Sequence, residues 1–311
     1  MGVGIDCGYG YAAVELIRAW QRQGVPVWTS DQEAAVCFNF GQPHFYERVE
    51  GKLNIGYTPW ESTGVQRAWI PKFNMMDEVW TTCEANADWY RASGVRVPVR
   101  VLPHGVNVDH YPIRGRRIKA NEPFKFLHIG EPTPRKGGKM VYDVFKSTFG
   151  ESPNVHLTIK GVPKFEVRGK NVTILPYKLT QAQMTDLYLD HHAMLYPTKG
   201  EGFGFIPFQG AATGMPTAVT NWSGPVDFMN YCFPIAVDEL VPTDYEPHEG
   251  LWAAPNSDSL SRWMTDFVDS PGYFFHKSYR LAHTLQKKYS WDSVGKMALE
   301  MMTDSLNRLP K

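Results

Sequence analysis

The chain has 311 residues, of which 43% are hydrophobic and 21% charged, a composition typical of globular proteins and unlike disordered or fibrous chains. Its 32 Lys and Arg equal its 32 Asp and Glu, so the formal net charge is zero and binding of nucleic acid by bulk charge is disfavoured. The length favours two domains, because domains usually have about 100–200 residues. Aromatic residues make up 14% of the chain, enough for a core and for pockets that bind polar ligands with apolar faces.

The cysteines and the N-terminus indicate a cellular compartment. Cys7, Cys37, Cys83 and Cys232 lie far apart without metal-type spacing, which is typical of reduced thiols. The N-terminus lacks the basic and apolar regions of a signal peptide, and no apolar run approaches the length of a membrane span. We therefore predict a cytoplasmic protein without a transmembrane segment.

The first third of the sequence alternates short apolar runs with amphipathic segments. Residues 3–5 read as a strand, 8–10 as a tight turn, and 13–20 as a helix with apolar residues at i, i+3, i+4 and i+7. A strand at 25–28 would complete a β-α-β unit, which predicts a parallel sheet. Further elements in this part are predicted to be strands at 37–40, 78–81 and 99–102 and a helix at 84–93.

Residues 108–123 are basic, contain two prolines and show no periodicity, which predicts an interdomain linker. After it the alternation resumes and then becomes mostly helical towards the C-terminus. The strands predicted here are 124–130, 155–161, 171–175, 193–197 and 216–220, and the helices lie near 138–148, 180–190 and 200–213. We predict an α/β fold of two doubly wound domains with a cleft at the carboxyl ends of their strands.

The strongest site motif is Glu201-Gly202-Phe203-Gly204-Phe205, with Gln209 eight residues after the acid. It predicts a strand end, a turn of small residues and a helix start. The exposed N–H groups and positive dipole end of such a helix favour an anion or a group of hydroxyls. The alternative is a tight turn in which Glu201 is a solvated cap.

A second motif places Arg135 and Lys136 before two glycines, on the loop that follows the strand ending at Gly130. Arginine binds phosphate with two parallel hydrogen bonds and lysine binds it as a point charge, so the pair could clamp a diphosphate. A solvated basic turn is the alternative. The position at the carboxyl end of a parallel strand favours the binding function.

A third motif, Gly8-x-Gly10-x-x-Ala13 with Asp31 beyond it, imitates a dinucleotide fingerprint. It supports an alternative function, that of an NAD-dependent oxidoreductase. That alternative leaves both of the other motifs unexplained.

Together these stretches resemble the retaining glycosyltransferases of family 4, which have the GT-B fold of two facing Rossmann-like domains. The segments that carry the resemblance are 57–63, 77–80, 103–107, 125–138 and 184–216. The resemblance implies an acceptor-side domain at 1–115, a nucleotide-sugar-binding domain at 116–289 and a C-terminal helix at 290–311 that crosses back to the first domain. It also implies metal-independent transfer, in keeping with the absence of an Asp-x-Asp motif, and no cofactor other than the nucleotide sugar as co-substrate.

The resemblance assigns roles to individual residues of the donor site. Glu201 would hold the hydroxyls of the donor sugar, Lys136 and Arg135 would stabilise the diphosphate, and Gln209 would reach the nucleotide ribose. Backbone groups expected near the donor belong to Gly8, Tyr9, Gly10, Gly130, Phe203, Gly204 and Phe205. Two departures stand out, because Gln209 replaces the family's second acid and Glu131 replaces the arginine that usually follows the glycine.

The acceptor side carries a weaker signal. Trp60 and Glu61 suit a hydroxylated acceptor, although Trp60 could equally be a core residue, and His104 follows a predicted strand. We expect His128, His191 and His192 to be core histidines. The predicted function is transfer of a sugar from a UDP- or GDP-hexose to an acceptor hydroxyl, with a catalytically silent sugar-nucleotide-binding protein as a further alternative. The acceptor stays open between a small molecule, a lipid, a protein and a modified nucleic-acid base.

Overall fold

The computed structural model describes residues 8–27, 33–244 and 246–308. Within these ranges the α-helices are α1 (Gly8–Arg22), α2 (Ile70–Asn74), α3 (Glu84–Ala92), α4 (Gly138–Phe149), α5 (Gln181–Asp190), α6 (Phe205–Ala212), α7 (Ser257–Asp269), α8 (Pro271–Tyr289) and α9 (Trp291–Arg308). The strands are β1 (Val36–Phe40), β2 (Leu53–Tyr57), β3 (Glu78–Thr81), β4 (Val99–Val101), β5 (Phe124–Ile129), β6 (Val155–Lys160), β7 (Val172–Leu175), β8 (Ala193–Tyr196), β9 (Thr217–Thr220), β10 (Phe233–Ile235), β11 (Val237–Pro242) and β12 (Leu251–Pro255).

The chain folds into two compact units. The first comprises Met1–Asn107, Pro242–Leu251 and Lys287–Lys311, and the second comprises Val108–Val241 and Trp252–Gln286. The sequence placed the first boundary at 115 and the second at 289, and it did not anticipate that 242–251 joins the first unit. This segment is held there by hydrogen bonds, since the N–H of Gly64 donates to the carbonyl of Glu249 at 3.1 Å and the N–H of Leu251 donates to Thr63 Oγ1 at 2.8 Å.

The first unit is built on a parallel sheet in the order β1-β2-β3-β4. Strand β2 is buried along its whole length, and Gly56 is required in it because a Cβ there would lie 2.2 Å from the ring of Tyr46. Helix α9 packs against α1 at Gly295, where a Cβ would lie 2.9 Å from that of Ala19. Trp20 Nε1 donates to the carbonyl of Gly295 at 3.2 Å, which fixes the two helices together.

The second unit is built on a parallel sheet in the order β10-β9-β8-β5-β6-β7. Its chain order reverses between β5 and β8, so the loops that follow these two strands separate at a topological switch point. Phe126 on β5, Leu157 on β6 and Leu195 on β8 share a buried core with residues of α4 and α7. Ligands of open parallel sheets bind at such switch points, so the fold predicts a binding site at the loops after β5 and β8.

Three expectations differ from the structure. Residues 8–10 lie in the first turn of α1 rather than in a tight turn, and the expected strand at 3–5 lies outside the described residues. Residues 25–27 form no strand, because the N–H of Val25 still donates to the carbonyl of Trp20 at the end of α1. The region after 220 is mostly helical as expected, through α7, α8 and α9, but it also contains the unexpected strands β10, β11 and β12. None of the helices in the described ranges is long and apolar enough to cross a membrane.

Candidate functional site

The loop at 130–137 connects β5 to α4 and carries both predicted cations. Its last residue, Gly137, has a φ of +74°, and a Cβ there would lie 2.2 Å from the carbonyl oxygen of Pro197. The carbonyl of Arg135 accepts a hydrogen bond from the N–H of Lys199 at 2.7 Å. The 130–137 loop therefore packs directly against the segment that follows β8.

The segment at 198–204 connects β8 to α6 and is fixed by the backbone on both sides of Glu201. The N–H of Glu201 donates to Ser223 Oγ at 3.0 Å, and its carbonyl accepts from the N–H of Gly224 at 3.0 Å. Gly204 has a φ of +99° and begins α6 without a side-chain cap. The ring of Phe203 packs on Phe208, with ring centroids 4.8 Å apart, and so anchors the turn in the core.

The Glu201 carboxylate is the centre of a buried polar group that we call the Glu201 cluster (Arg135, Lys136, Tyr196, Thr198 and Glu201). Its Oε1 accepts hydrogen bonds from Lys136 Nζ at 2.7 Å, Thr198 Oγ1 at 3.0 Å and Tyr196 OH at 3.1 Å. A nitrogen of the Arg135 guanidinium lies 3.4 Å from the same oxygen. Only 6% of Glu201 is exposed, so the interactions operate away from water.

The charge of Glu201 is set by its neighbours. Burial raises the pKa of this carboxyl, but Lys136, Arg135 and the hydrogen bonds to the carboxylate outweigh burial and leave the pKa below its ordinary value. The cluster thus holds one carboxylate and two cations, a net charge of +1. A buried excess of positive charge is suited to an anionic ligand.

Arg135 and Gln209 have additional partners. The Arg135 guanidinium donates to the carbonyl of Gly200 at 2.6 Å, so this side chain also holds the 198–204 segment in place. Gln209 lies on α6 and is 6% exposed, and its Oε1 accepts a hydrogen bond from Tyr188 OH at 3.2 Å. Both Gln209 and the Glu201 cluster belong to the second unit, as the motif spacing predicts.

A cavity of about 610 Å³ lies in the second unit at the start of α4. Its walls come from the 130–137 loop, from α4 and from the residues that follow β6. The lining residues include His128, Gly130, Glu131, Gly138, Lys139, Met140, Gly161, Phe165 and Lys199. Gly130 and Glu131, both singled out by the sequence, therefore border a space large enough for a small molecule.

The acceptor-side candidates lie in the first unit, and two of them are core residues. Trp60 is 2% exposed, its Nε1 donates to the carbonyl of Gly64, and its ring contacts those of Trp69 and His248. His104 is also buried, and burial lowers its pKa to about 3. The proposed aromatic platform at Trp60 is therefore wrong in this structure, because the ring has no exposed face.

Of the remaining first-unit candidates, Gly10 is buried, whereas Gly8, Tyr9 and Glu61 are more accessible. Glu61 is partly exposed and lies 3.9 Å from Nε2 of His248. Gly8, Tyr9 and Gly10 form the start of α1, where Tyr9 OH donates to the carbonyl of Pro59 at 3.0 Å. Among the described residues, no group of three or more His, Cys, Asp or Glu could hold a metal ion.

Sequence reasoning missed Tyr196, Thr198 and Ser223, which position Glu201. Tyr196 and Thr198 flank Pro197 at the end of β8, and a hydroxyl on each side of a strand end just before an acid is the signal that could have found them. Ser223 is distant in sequence, so no local pattern indicates it.

Residues 84–297, more than half of the chain, match the family described as "Family 4 Glycosyltransferase in conflict systems". The chain belongs to this family. It is therefore a glycosyltransferase, and this membership selects the transferase over the oxidoreductase that the glycines of α1 had suggested. A comparison with curated proteins finds no match.

Solved structures similar to the chain include complexes with UDP and with UDP-glucose. HepE from Anabaena, in complex with UDP and glucose, is 11% identical with a TM-score of 0.65, covering 97% of this chain and 83% of HepE. TarM from S. aureus is 14% identical with a TM-score of 0.62, covering 86% of this chain and 54% of TarM. Sucrose-phosphate synthase from Thermosynechococcus elongatus is 13% identical with a TM-score of 0.61, covering 83% of this chain and 69% of the synthase. At these identities the similarity establishes the fold, which is GT-B.

Proposed function

We propose that the chain transfers a hexose from UDP-hexose or GDP-hexose to an acceptor hydroxyl, with retention of anomeric configuration. The observation that carries the proposal is the Glu201 cluster, in which one buried carboxylate and two cations meet where the 130–137 loop packs against the 198–204 segment. A nucleotide sugar combines a diphosphate with sugar hydroxyls. The cluster offers cations for the first and a carboxylate for the second.

The contacts support the following roles. Lys136 and Arg135 stabilise negative charge as it develops on the departing diphosphate, together with the backbone N–H groups at the start of α6. Glu201 accepts hydrogen bonds from the sugar hydroxyls through Oε2, since the hydrogen bonds from Lys136, Thr198 and Tyr196 all go to Oε1. Gln209 binds the ribose with an amide that Tyr188 already orients.

A front-face displacement accounts for retention. The bond between the anomeric carbon and the phosphate oxygen breaks, the acceptor oxygen bonds to the same face of that carbon, and the acceptor proton passes to the leaving phosphate. Glu201 is a poor nucleophile for a double displacement, since Lys136, Thr198 and Tyr196 all donate to it.

Side chains and backbone amides compensate the charge on the diphosphate, so we propose that no metal is needed. Activity should therefore survive treatment with EDTA. Loss of turnover on chelation, with recovery on addition of Mn²⁺ or Mg²⁺, would contradict this donor site.

Replacement of Lys136 tests the donor site directly, through the affinity for a nucleoside diphosphate. Replacing Lys136 by Ala should weaken binding of UDP or GDP by about 1.5–3 kcal/mol, the scale of a charge-assisted hydrogen bond, and should leave uridine or guanosine binding unchanged. Lys170→Ala is the matched control, because this exposed lysine precedes β7, an edge strand of the sheet, whereas Lys136 follows the central strand β5. Equal diphosphate affinity in both variants would remove Lys136 from the site.

Binding experiments can identify the base and the sugar of the donor. HepE was solved with UDP and with UDP-glucose, which makes a uridine donor the first to test. We expect UDP or GDP, and the corresponding sugar nucleotides, to raise the melting temperature more than ADP does. A cytoplasmic location, expected from the cysteines, stays a prediction.

A further inference from the structure

Helix α4 begins without a side-chain cap. Its first hydrogen bond runs from the N–H of Val141 to the carbonyl of the N-cap residue, Gly137. Among the described residues, the N–H groups of Gly138, Lys139 and Met140 have no acceptor. These three residues line the cavity of about 610 Å³, so the positive end of a twelve-residue helix borders an open space.

His128 borders the same space from the end of β5. Only 1% of the residue is exposed, and its Nδ1 lies 3.0 Å from the carbonyl oxygen of Leu195. That oxygen can only accept, so Nδ1 carries the hydrogen and Nε2 of the neutral ring carries a lone pair. Nε2 has no hydrogen-bond partner within the described part of the chain.

Two glycines keep the space in front of this nitrogen open. A Cβ on Gly130 would lie 3.0 Å from Nε2 of His128, and a Cβ on Gly138 would lie 3.2 Å from it. The Gly130 Cβ position also lies 3.0 Å from Cβ of Lys136, whose Nζ is bonded to Glu201, so the histidine lies beside the loop that carries the proposed phosphate lysine. A group bound there would meet Nε2 and the uncapped start of α4 together.

The surroundings of the ring favour its neutral form. Burial lowers the pKa of His128 to about 4, the hydrogen bond to Leu195 opposes this effect, and the charge of Lys136 adds to it. The His128 ring also stacks on Tyr196 of the Glu201 cluster, with centroids 5.8 Å apart. The titratable groups on the elements around it are Glu131, Arg135, Lys136, Lys139, Asp143, Lys160, Lys164, Tyr196, Lys199 and Glu201.

We propose that Nε2 of His128 binds the diphosphate of the nucleotide sugar and takes up a proton from solution as it does so. The inference rests on the proposed function. An anion placed at the start of α4 reverses the electrostatic balance at the ring, because it stabilises the imidazolium that burial disfavours. The bound complex then contains one more cation, on β5 beside the loop where Glu131 replaces the arginine expected from the family resemblance.

Proton uptake makes the affinity dependent on pH in a defined direction. Binding tightens as the pH falls, and the slope approaches tenfold in affinity per pH unit for the uptake of one proton. The probes are UDP-glucose and GDP-mannose. Their phosphates have no second ionisation, unlike the terminal phosphate of a nucleoside diphosphate, which titrates near about pH 6.

The experiment is isothermal titration calorimetry of the full chain with both probes, in two buffers of different protonation enthalpy, between pH 6 and 8. The wild type should take up close to one proton per nucleotide sugar. His128→Gln keeps an N–H donor but cannot titrate, so its binding should lose both the proton uptake and the pH dependence. His191→Gln is the matched control. This histidine is equally buried, but Leu187 and Thr158 bind its two nitrogens, so its replacement should leave the uptake intact.

The outcomes separate this inference from the function on which it rests. Binding of a nucleotide sugar to the wild type without proton uptake overturns the role of His128 alone. Undiminished uptake in His128→Gln overturns it as well. Failure of the wild type to bind either probe overturns the proposed donor class together with this inference. The proton count of the wild type needs no variant, so poor folding of His128→Gln leaves the test valid.

Discussion

Glu201 shows how one residue can be committed to a function by its neighbours. Its carboxylate is almost fully buried, yet it stays ionised because Lys136 and Arg135 compensate for the loss of water. Removing the acid would leave two buried cations facing each other without a counter-charge. A substitution at this position therefore affects both chemistry and stability, and an isosteric amide is a better probe than alanine.

Glu201→Gln should lower kcat strongly while affinity for UDP or GDP stays nearly unchanged. The amide keeps the shape of the side chain but loses the negative charge that we expect to meet the sugar hydroxyls. Steady-state kinetics with the best donor, together with calorimetry of the bare nucleotide, measure the two effects separately. Normal turnover in this variant would mean that the 198–204 segment serves the turn and not the donor.

Gln209 lies about one helical turn after the start of α6, and its variants are to be compared with that of Glu201. Gln209→Ala should weaken nucleotide and nucleotide sugar alike by about 1 kcal/mol, the value of one neutral hydrogen bond. Gln209→Glu should tighten both, because a carboxylate can still accept from Tyr188 and binds a ribose hydroxyl more strongly. Weaker binding of UDP and GDP by Gln209→Glu would exclude the ribose as its partner.

At the scale of elements, the 130–137 loop is shaped by contact with the segment after β8. Gly137 combines a φ of +74° with a Cβ position 2.2 Å from the carbonyl oxygen of Pro197. Gly24, at the end of α1, has a φ of +75°, and apart from its chain neighbours and the backbone of α1 no described residue has an atom within 4 Å of its Cβ position. The two glycines share a backbone conformation and differ in the contact.

Gly137→Ala should therefore destabilise the protein more than Gly24→Ala does. The left-handed conformation costs an alanine about 1–2 kcal/mol at either position, and only at Gly137 is a carbonyl displaced as well. Urea unfolding of both variants gives the two free energies of unfolding, and their difference isolates the contact. Because the displaced segment leads to Glu201, Gly137→Ala should also weaken nucleotide binding. Equal destabilisation would show that the loop can move away from Pro197 freely.

Strands and helices of the second unit were predictable because each has a strong periodic signal between glycines or prolines. β5 and α4, for example, differ from their predicted bounds by a single residue at one end. The β-α-β unit predicted at the start of the chain was wrong at its second strand, because Gly24 and Val25 continue the end of α1 instead of starting a strand. Of the candidate site, the motifs predicted Lys136 and Glu201 on loops after strand ends and Gln209 on the following helix, and the structure has them at these positions.

Contacts that depend on distant segments had no local signal. Strand alternation makes His128 a core residue, and only the packing of two glycines beside it shows that one of its nitrogens borders a cavity. Trp60 illustrates the reverse, because an aromatic beside a carboxylate suits a sugar platform in sequence, whereas the ring is enclosed by Trp69 and His248. Residue type and spacing thus identify the charged centre of the site better than its walls.

At the scale of the whole molecule, buried histidines link stability to pH. Burial lowers the pKa of His104 to about 3 and the pKa values of His128 and His191 to about 4, against an ordinary value of about 6.5. Unfolding therefore allows each imidazole to bind a proton that the folded chain refuses. The contribution of the neutral imidazoles to stability is therefore fully present above about pH 6.5, and it is lost as the pH falls towards about 4.

The nucleotide-free chain should consequently lose stability between pH 7 and 5.5, before most carboxylates titrate. One pH unit below the ordinary value costs about 1.4 kcal/mol per histidine, or roughly 4 kcal/mol for the three. Urea midpoints at the two pH values measure the loss, and His191→Gln should reduce it by about a third, provided that the amide keeps a bond to Leu187 or Thr158. Replacement of the exposed His276 by Gln is the control, and this variant should follow the wild type.

Glu201 does not contribute to the loss between pH 7 and 5.5, because its lowered pKa affects stability only near and below its ordinary value of 4.5. Equal midpoints at pH 7 and 5.5 would show that the buried imidazoles accept protons inside the folded chain, which would also remove the neutral resting state assigned to His128.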